Sequence, residues 1–278
     1  MLTTDSNHKF TFSIEGKEYV INEKPGNGKK EKKKSPIHGP SIIIGAAITA
    51  ICVIIVSLSI NVNNFGDELT ETEMLENPTE IPLETFYNNA SPILGDPNAP
   101  ITLIEFGDFQ CHFCNVYFHN TEPVLLENFV KTGKVNVIFK DYIIIGPDSF
   151  TAAHATHCAD DQDGYWKYHN ILYNNWTGEN NGWASNQNLM KYANEIELDL
   201  GLFIECMNSN RYNDLIEKSN NDARKLGLSV TPAFFIHDKK TNTVQVISGA
   251  QPYESFERVF NSILEKKKNL TFSRLIAN

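Results

Sequence analysis

Cys111-His112-Phe113-Cys114 places two thiols three residues apart, between an apolar run, Ile101-Thr102-Leu103-Ile104-Glu105-Phe106, and a stretch with helical patterning. At such a strand-to-helix junction the first cysteine falls at a helix N-terminus, where unpaired backbone N–H groups and the helix dipole stabilise a negative sulfur. Cys111 is therefore the expected reactive thiolate. Cys114, one turn further in, is the expected resolving thiol, placed to attack a mixed disulfide formed at Cys111. A bare C-x-x-C is also half of many zinc sites. Structural zinc takes four protein ligands, and the sequence holds no second C-x-x-C and no pair of histidines spaced for that role, so redox chemistry is favoured. His154, His157 and Cys158 fall within one helical turn. Histidines at that spacing are usually packed or solvated and no carboxylate partner is evident, so no metal is assigned there.

Around the thiols, Ile101 to Phe106 reads as a strand, Cys111 to Lys131 as a helix and Val135 to Tyr142 as a second strand parallel to the first, a β-α-β unit. Five helical patterns follow, roughly 148–161, 165–175, 186–196, 200–207 and 211–226, punctuated by Gly, Asn and Asp. Ala233 to His237 and Thr243 to Ser248 read as a strand pair across a polar turn, and Pro252 to Lys268 as a closing helix.

The 278 residues, 41% apolar, suffice for one core with appended segments, and a formal charge of −10 argues against nucleic acid as a partner. The charge is uneven. Residues 1–40 hold eight basic and five acidic residues, whereas residues 41–278 hold 16 basic and 29 acidic ones. Ser41 to Ile60 contains no formal charge and has eight Ile, two Val and one Leu, the pattern of a membrane-spanning helix retained as an anchor and not cleaved as a signal. Lys29, Lys30, Lys32, Lys33 and Lys34 precede it, and no Lys or Arg follows until Lys131. The positive-inside rule then puts residues 1–40 in the cytoplasm and everything after Ile60 outside, where disulfides persist. Residues 10–21 could form a small hairpin, 61–91 read as an acidic flexible linker, and 92–278 as the outer domain.

Gly95-Asp96-Pro97-Asn98-Ala99-Pro100, Glu105-Phe106-Gly107-Asp108-Phe109-Gln110-Cys111-His112-Phe113-Cys114 and Val230-Thr231-Pro232-Ala233-Phe234-Phe235 together resemble the DsbA-like thiol-disulfide oxidoreductases of the thioredoxin superfamily. The likeness spans about residues 92–268. It implies an α/β thioredoxin fold interrupted by a helical insertion, about 147–226, here preceded by one transmembrane helix. It also implies a buried acid at Glu105 beneath the thiols, able to take the Cys114 proton. Thr231-Pro232 matches the loop whose proline is cis in the superfamily, with the Thr231 backbone free to pair with an extended substrate. His112 departs from the commonest family pattern, Cys-Pro-His-Cys. It either supports the Cys111 sulfur by a hydrogen bond or charge, favouring an oxidising potential, or points to solvent.

Some relatives carry a second, non-catalytic disulfide in the insertion, which the resemblance transfers to Cys158 and Cys206, with two free core cysteines as the alternative; Cys52 is then a lone thiol in the span. The expected function is introduction of disulfides into exported cysteine-containing proteins, with reoxidation by a membrane quinone-linked partner and no bound cofactor. Disulfide reduction or isomerisation is the alternative direction. A copper-handling protein using Cys111 and Cys114 as soft ligands, or a peptide-binding module that has kept the fold, are alternatives of other classes.

Overall fold

The computed structural model describes residues 9–14, 17–22 and 79–276, with side chains over 81–265. The apolar segment 41–60, Cys52 and residues 23–40 and 61–78 lie outside the described residues. No helix among the described residues is long and apolar enough to cross a membrane. Strands β1 (Lys9–Ile14) and β2 (Lys17–Asn22) form the antiparallel hairpin expected near the N-terminus. β2 pairs in parallel with β3 (Thr79–Pro82), so folded structure begins well before Pro92.

What reads as the end of a flexible linker is part of the core. After β3, helix α1 (Glu84–Tyr87) carries Phe86, fully buried, with its ring centroid 4.9 Å from that of Phe235. The segment is sparse in apolar residues, but Ile81, Leu83, Phe86 and Tyr87 all reach the same cluster. Gly95, in the first of the three recognised motifs, sits at φ +97°, and a Cβ there would come within 2.6 Å of Val130 Cγ1. Only glycine fits both constraints.

The main sheet has the order β5-β4-β6-β7. β4 (Ile101–Gly107) pairs in parallel with β5 (Val135–Asp141) and antiparallel with β6 (Ala233–Asp238), which pairs antiparallel with β7 (Thr243–Ser248). Every residue of β4 and β5 is buried, as parallel strands covered on both faces must be. One covering layer is α9 (Tyr253–Ile276), whose Phe256, Phe260 and Ile263 share a cluster with Ile101 and Leu103.

The helix after β4 is interrupted. α2 (His112–Asn120) ends at Thr121, and the chain restarts as α3 (Glu122–Leu125), continuing through a wide π turn, Leu126–Val130. Pro123 lacks the N–H that a continuous helix needs, and its ring fits only a first turn. Glu122, the first residue after the break, is buried.

Between β5 and β6 come α4 (Pro147–Asp160), α5 (Tyr165–Asn174), α6 (Asn186–Glu195), α7 (Leu200–Ser209) and α8 (Asn213–Lys225), the expected helical insertion. Cys158 of α4 and Cys206 of α7 form a disulfide with Cα atoms 5.6 Å apart. The sequence separation is 48, which corresponds to about 4 kcal/mol of chain-entropy stabilisation.

Two buried polar contacts tie the insertion to β5. His157 Nε2 lies 2.8 Å from Asp141 Oδ2, so the carboxylate partner that the sequence did not reveal comes from a strand. Lys140 Nζ, wholly buried, donates to Asp222 Oδ2 at 2.9 Å, to the Thr85 carbonyl at 2.9 Å and to the Asn88 carbonyl. All its ammonium donors are thereby matched, the condition under which a buried charge is tolerated.

Candidate active site

The sharp turn between β4 and α2 is held by its own polar atoms. Asp108 is buried at its start, and its carboxylate accepts from Gln110 N at 2.8 Å, Ile144 N at 2.9 Å and Ile145 N at 3.0 Å. Its carbonyl accepts from Cys111 N at 3.0 Å. One aspartate thus fixes both the thiol turn and the loop that leads into α4. Phe109 fills the space below, with ring centroids 5.1 Å from Phe139 and 5.3 Å from Tyr173.

Cys111 occupies the N-cap of α2, and its sulfur accepts from Cys114 N at 3.4 Å. The residue is 4% exposed, whereas Cys114 is fully buried; both are free thiols in this structure. The Cys111 thiol is lowered to about 7. The Cys114 thiol beside it is the largest cause, burial opposes, and contacts to Thr231 and to the Cys114 and Phe113 backbone N–H groups assist. Cys114 moves the other way, raised well above the ordinary thiol value by burial first and then by Cys111 and the charge of Glu105. One thiol is poised to ionise and its neighbour is held protonated.

The Thr231-Pro232 bond is cis. The Thr231 carbonyl is not free, as the motif alone suggests, but faces the Cys111 sulfur at 3.4 Å. His112 is exposed, its ring centroid 5.5 Å from Trp176 and 5.2 Å from Phe113. Among the described residues it makes no hydrogen bond to the Cys111 sulfur, so of the two readings of His112 the solvent-facing one matches the structure.

Glu105 lies in β4, 3% exposed, and is raised well above the usual carboxylate range by burial, then by the charges of Glu122 and Cys111. Glu122, 4% exposed, is a second acid in the same region, which sequence reasoning missed because it reads as one turn of a longer helix. Burial pushes it up to about 8. The buried Tyr117 hydroxyl stands near both, pushed up by burial and then by the two carboxylates. Burial and like charge both favour the protonated form of these two acids, so the pair retains a proton at neutral pH. The arrangement therefore holds an exchangeable proton beneath Cys114.

This has a measurable sign. Glu122 ionises at about 8 in the folded chain against an ordinary value of 4.5. The folded state therefore binds this proton more tightly, and the associated stability is fully present below about pH 4.5 and is lost as pH rises toward 8. Glu122→Gln is expected to flatten the stability profile across that window, by up to about 1.4 kcal/mol per pH unit. Denaturant melts of both proteins from about pH 5 to pH 8 measure it; parallel curves would show that Glu122 ionises normally.

Cys158 and Cys206 are bonded to each other, which removes both thiolates from any metal set with His154. Other contributors to the site are legible only in three dimensions. Gln110 donates to Ser149 Oγ at 3.1 Å and accepts from Asn180 N at 2.8 Å, and Trp176 Nε1 donates to the Gln110 carbonyl at 2.8 Å.

A strand, a thiol turn at a helix N-terminus, a cis-proline loop against the sulfur and helices inserted after the second strand of the main sheet define a class of redox protein. The chain belongs to the thioredoxin family, whose family model matches residues 87–261. A probable disulfide bond formation protein D of Bacillus anthracis is 26% identical over 163 residues, covering 57% of this chain and 75% of that protein. The disulfide bond formation protein D of Bacillus subtilis is 25% identical over 181 residues, covering 63% and 78%. The crystal structure of Wolbachia pipientis α-DsbA1 superposes with a TM-score of 0.57 at 26% identity, covering 63% of this chain and 90% of that one. The protein is a DsbA-like thiol-disulfide oxidoreductase.

Proposed function

We propose that this oxidoreductase introduces disulfides into exported cysteine-containing proteins from the outer face of a cell membrane. The observation that carries the chemistry is the contrast between Cys111, at the helix N-cap and lowered to about 7, and Cys114, buried and raised. In the oxidised enzyme a substrate thiolate attacks Cys111 Sγ, and the Cys111–Cys114 bond breaks. Cys114 leaves as a thiolate and takes a proton from the Glu105 carboxyl. A second substrate thiolate then attacks the substrate sulfur of the mixed disulfide and releases Cys111 as a thiolate stabilised by α2. The substrate loses two electrons and gains a disulfide; the enzyme is left as a dithiol. A quinone-linked membrane partner would reverse that reduction, with Glu105 now taking the Cys114 proton. In the oxidised enzyme Cys111 has no S–H to give the Thr231 carbonyl, which is then open to pair with an extended segment without demanding particular side chains.

The direction is supported by the names of the Bacillus relatives. The acidity of Cys111 tempers it. Reactive thiols at helix N-termini span about 3.5 to 7.5, with strong oxidants at the low end and reductants or isomerases near 7, so Cys111 at about 7 favours the alternative direction, reduction or isomerisation. Equilibrium with glutathione tests this. Reduced protein predominating supports oxidation; oxidised protein predominating makes the enzyme a reductase or isomerase.

Anchoring through residues 41–60 rests on their apolar composition and the preceding lysines. It makes a sharp demand, since a bilayer between residues 1–40 and the catalytic fold would break the β2–β3 ladder. Ile21 and Ile81 are paired in that ladder. Cysteines placed at both positions should fail to cross-link in intact cells if the chain spans the membrane, and cross-linking there would exclude the anchored topology.

A further inference from the structure

The N–H groups that open α2 serve two acceptors. Cys111 Sγ accepts from Cys114 N at 3.4 Å, and the Glu179 carboxylate accepts from His112 N at 3.0 Å. Glu179 is exposed and comes from the segment between α5 and α6, 67 residues beyond His112. Its placement is not incidental to a loose loop. Trp176 Nε1 and Asn180 N, on either side of it, each bond to Gln110 at 2.8 Å, the residue directly before Cys111. Gly178 at φ +137° and Asn180 at φ +53° give the turn that aims the carboxylate back at the helix end.

We propose that Glu179 is a positioning residue that limits the stability of the Cys111 thiolate, because its carboxylate occupies a helix-end donor and sets a second negative charge beside the sulfur. Acids near a helix N-terminus are favourable for the helix. A thiolate at the same end must share that field. Since an oxidising dithiol is one whose reduced, thiolate form is stabilised, Glu179 holds the enzyme toward the mild end of its class. The other ionisable groups around Cys111 among the described residues include Cys114 and Glu105 below it, the buried Tyr173 hydroxyl from α5 and His112 beside it, and all remain when Glu179 is changed. The inference rests on thiol–disulfide exchange by this pair, and not on its direction.

The test compares the full-length protein with Glu179→Gln, which keeps an acceptor and removes the charge, and with Glu179→Ala, which removes both. Thiolate absorbance against pH and equilibrium with glutathione are the readouts. Glu179→Gln is expected to titrate lower, with the thiolate fraction below the midpoint and the reduced-to-oxidised ratio each raised about 2- to 5-fold. The difference should shrink when salt is raised from about 0.01 M to about 1 M, because an exposed charge is screened. Coincident titrations of wild type and Glu179→Gln at low salt overturn the proposal, as does a shift seen with Glu179→Ala alone, which would mean that the loop matters only through its packing. A wild-type Cys111 titrating like a free thiol would instead remove the active-site reading itself, whatever the variants do.

Discussion

With Cys114 replaced by serine, the full-length protein accumulates as mixed disulfides through Cys111, and turnover in disulfide exchange falls by at least about 10²-fold. The reason is positional. Cys114 lies one helical turn from Cys111, and no other free thiol among the described residues can displace a substrate from Cys111 at comparable effective concentration. Serine and alanine should differ in a second respect. The largest cause of the Cys111 shift to about 7 is the Cys114 side chain, whose hydrogen bond a serine hydroxyl can replace and a methyl group cannot. Cys114→Ala is therefore expected to return Cys111 toward 9, the ordinary value, and to cut its thiolate at neutral pH by about 10- to 100-fold. Non-reducing gels detect the trapped species, and thiolate titration separates the two variants. Full turnover by Cys114→Ser would mean that Cys114 does not resolve, and equal titration of both variants would remove the Cys114 hydrogen bond as the source of acidity.

Glu105→Gln should slow the release of mixed disulfide by Cys114 about 10²-fold or more near neutral pH, the usual contribution of a positioned acid or base. Cys114 is held well above the ordinary thiol value in a region closed to solvent, so its proton needs a local acceptor. In the wild type that acceptor is Glu105, whose burial beside Glu122 and Cys111 holds it well above the usual carboxylate range and so makes it basic enough to take a thiol proton. Without it, hydroxide must remove the proton, and the rate is expected to rise about tenfold per pH unit where the wild type changes little. Rapid-quench measurement of a preformed mixed disulfide between about pH 6 and pH 8 supplies both numbers. An unchanged rate and profile would reduce Glu105 to a buried structural acid.

The strongest sequence signals were those of short range. A thiol turn following an apolar strand predicts a helix N-cap cysteine, and Cys111 is one. The apolar runs of β4 and β5 and the periodic stretches of the insertion also became the elements expected of them, since backbone pattern and burial face are local properties. Failures came where a residue's meaning depends on what packs against it. Pro123 split a helix that the apolar pattern alone continues, and Glu122, at that break, is buried. Phe86 joined the core from a stretch whose composition suggests a spacer.

By itself, then, the amino-acid order determined the reactive pair, the strand beneath it, the proline loop and the helical composition of the insertion, because each is encoded in residues adjacent along the chain. Tertiary structure alone decided how acidic the leading thiol is and what surrounds it. Glu179 and Trp176 reach α2 from more than sixty residues away, Thr231 from 120 away, and Asp141 meets His157 across two elements. Electrostatic energies depend on distance and on exclusion of water, and neither is written in the spacing of residues.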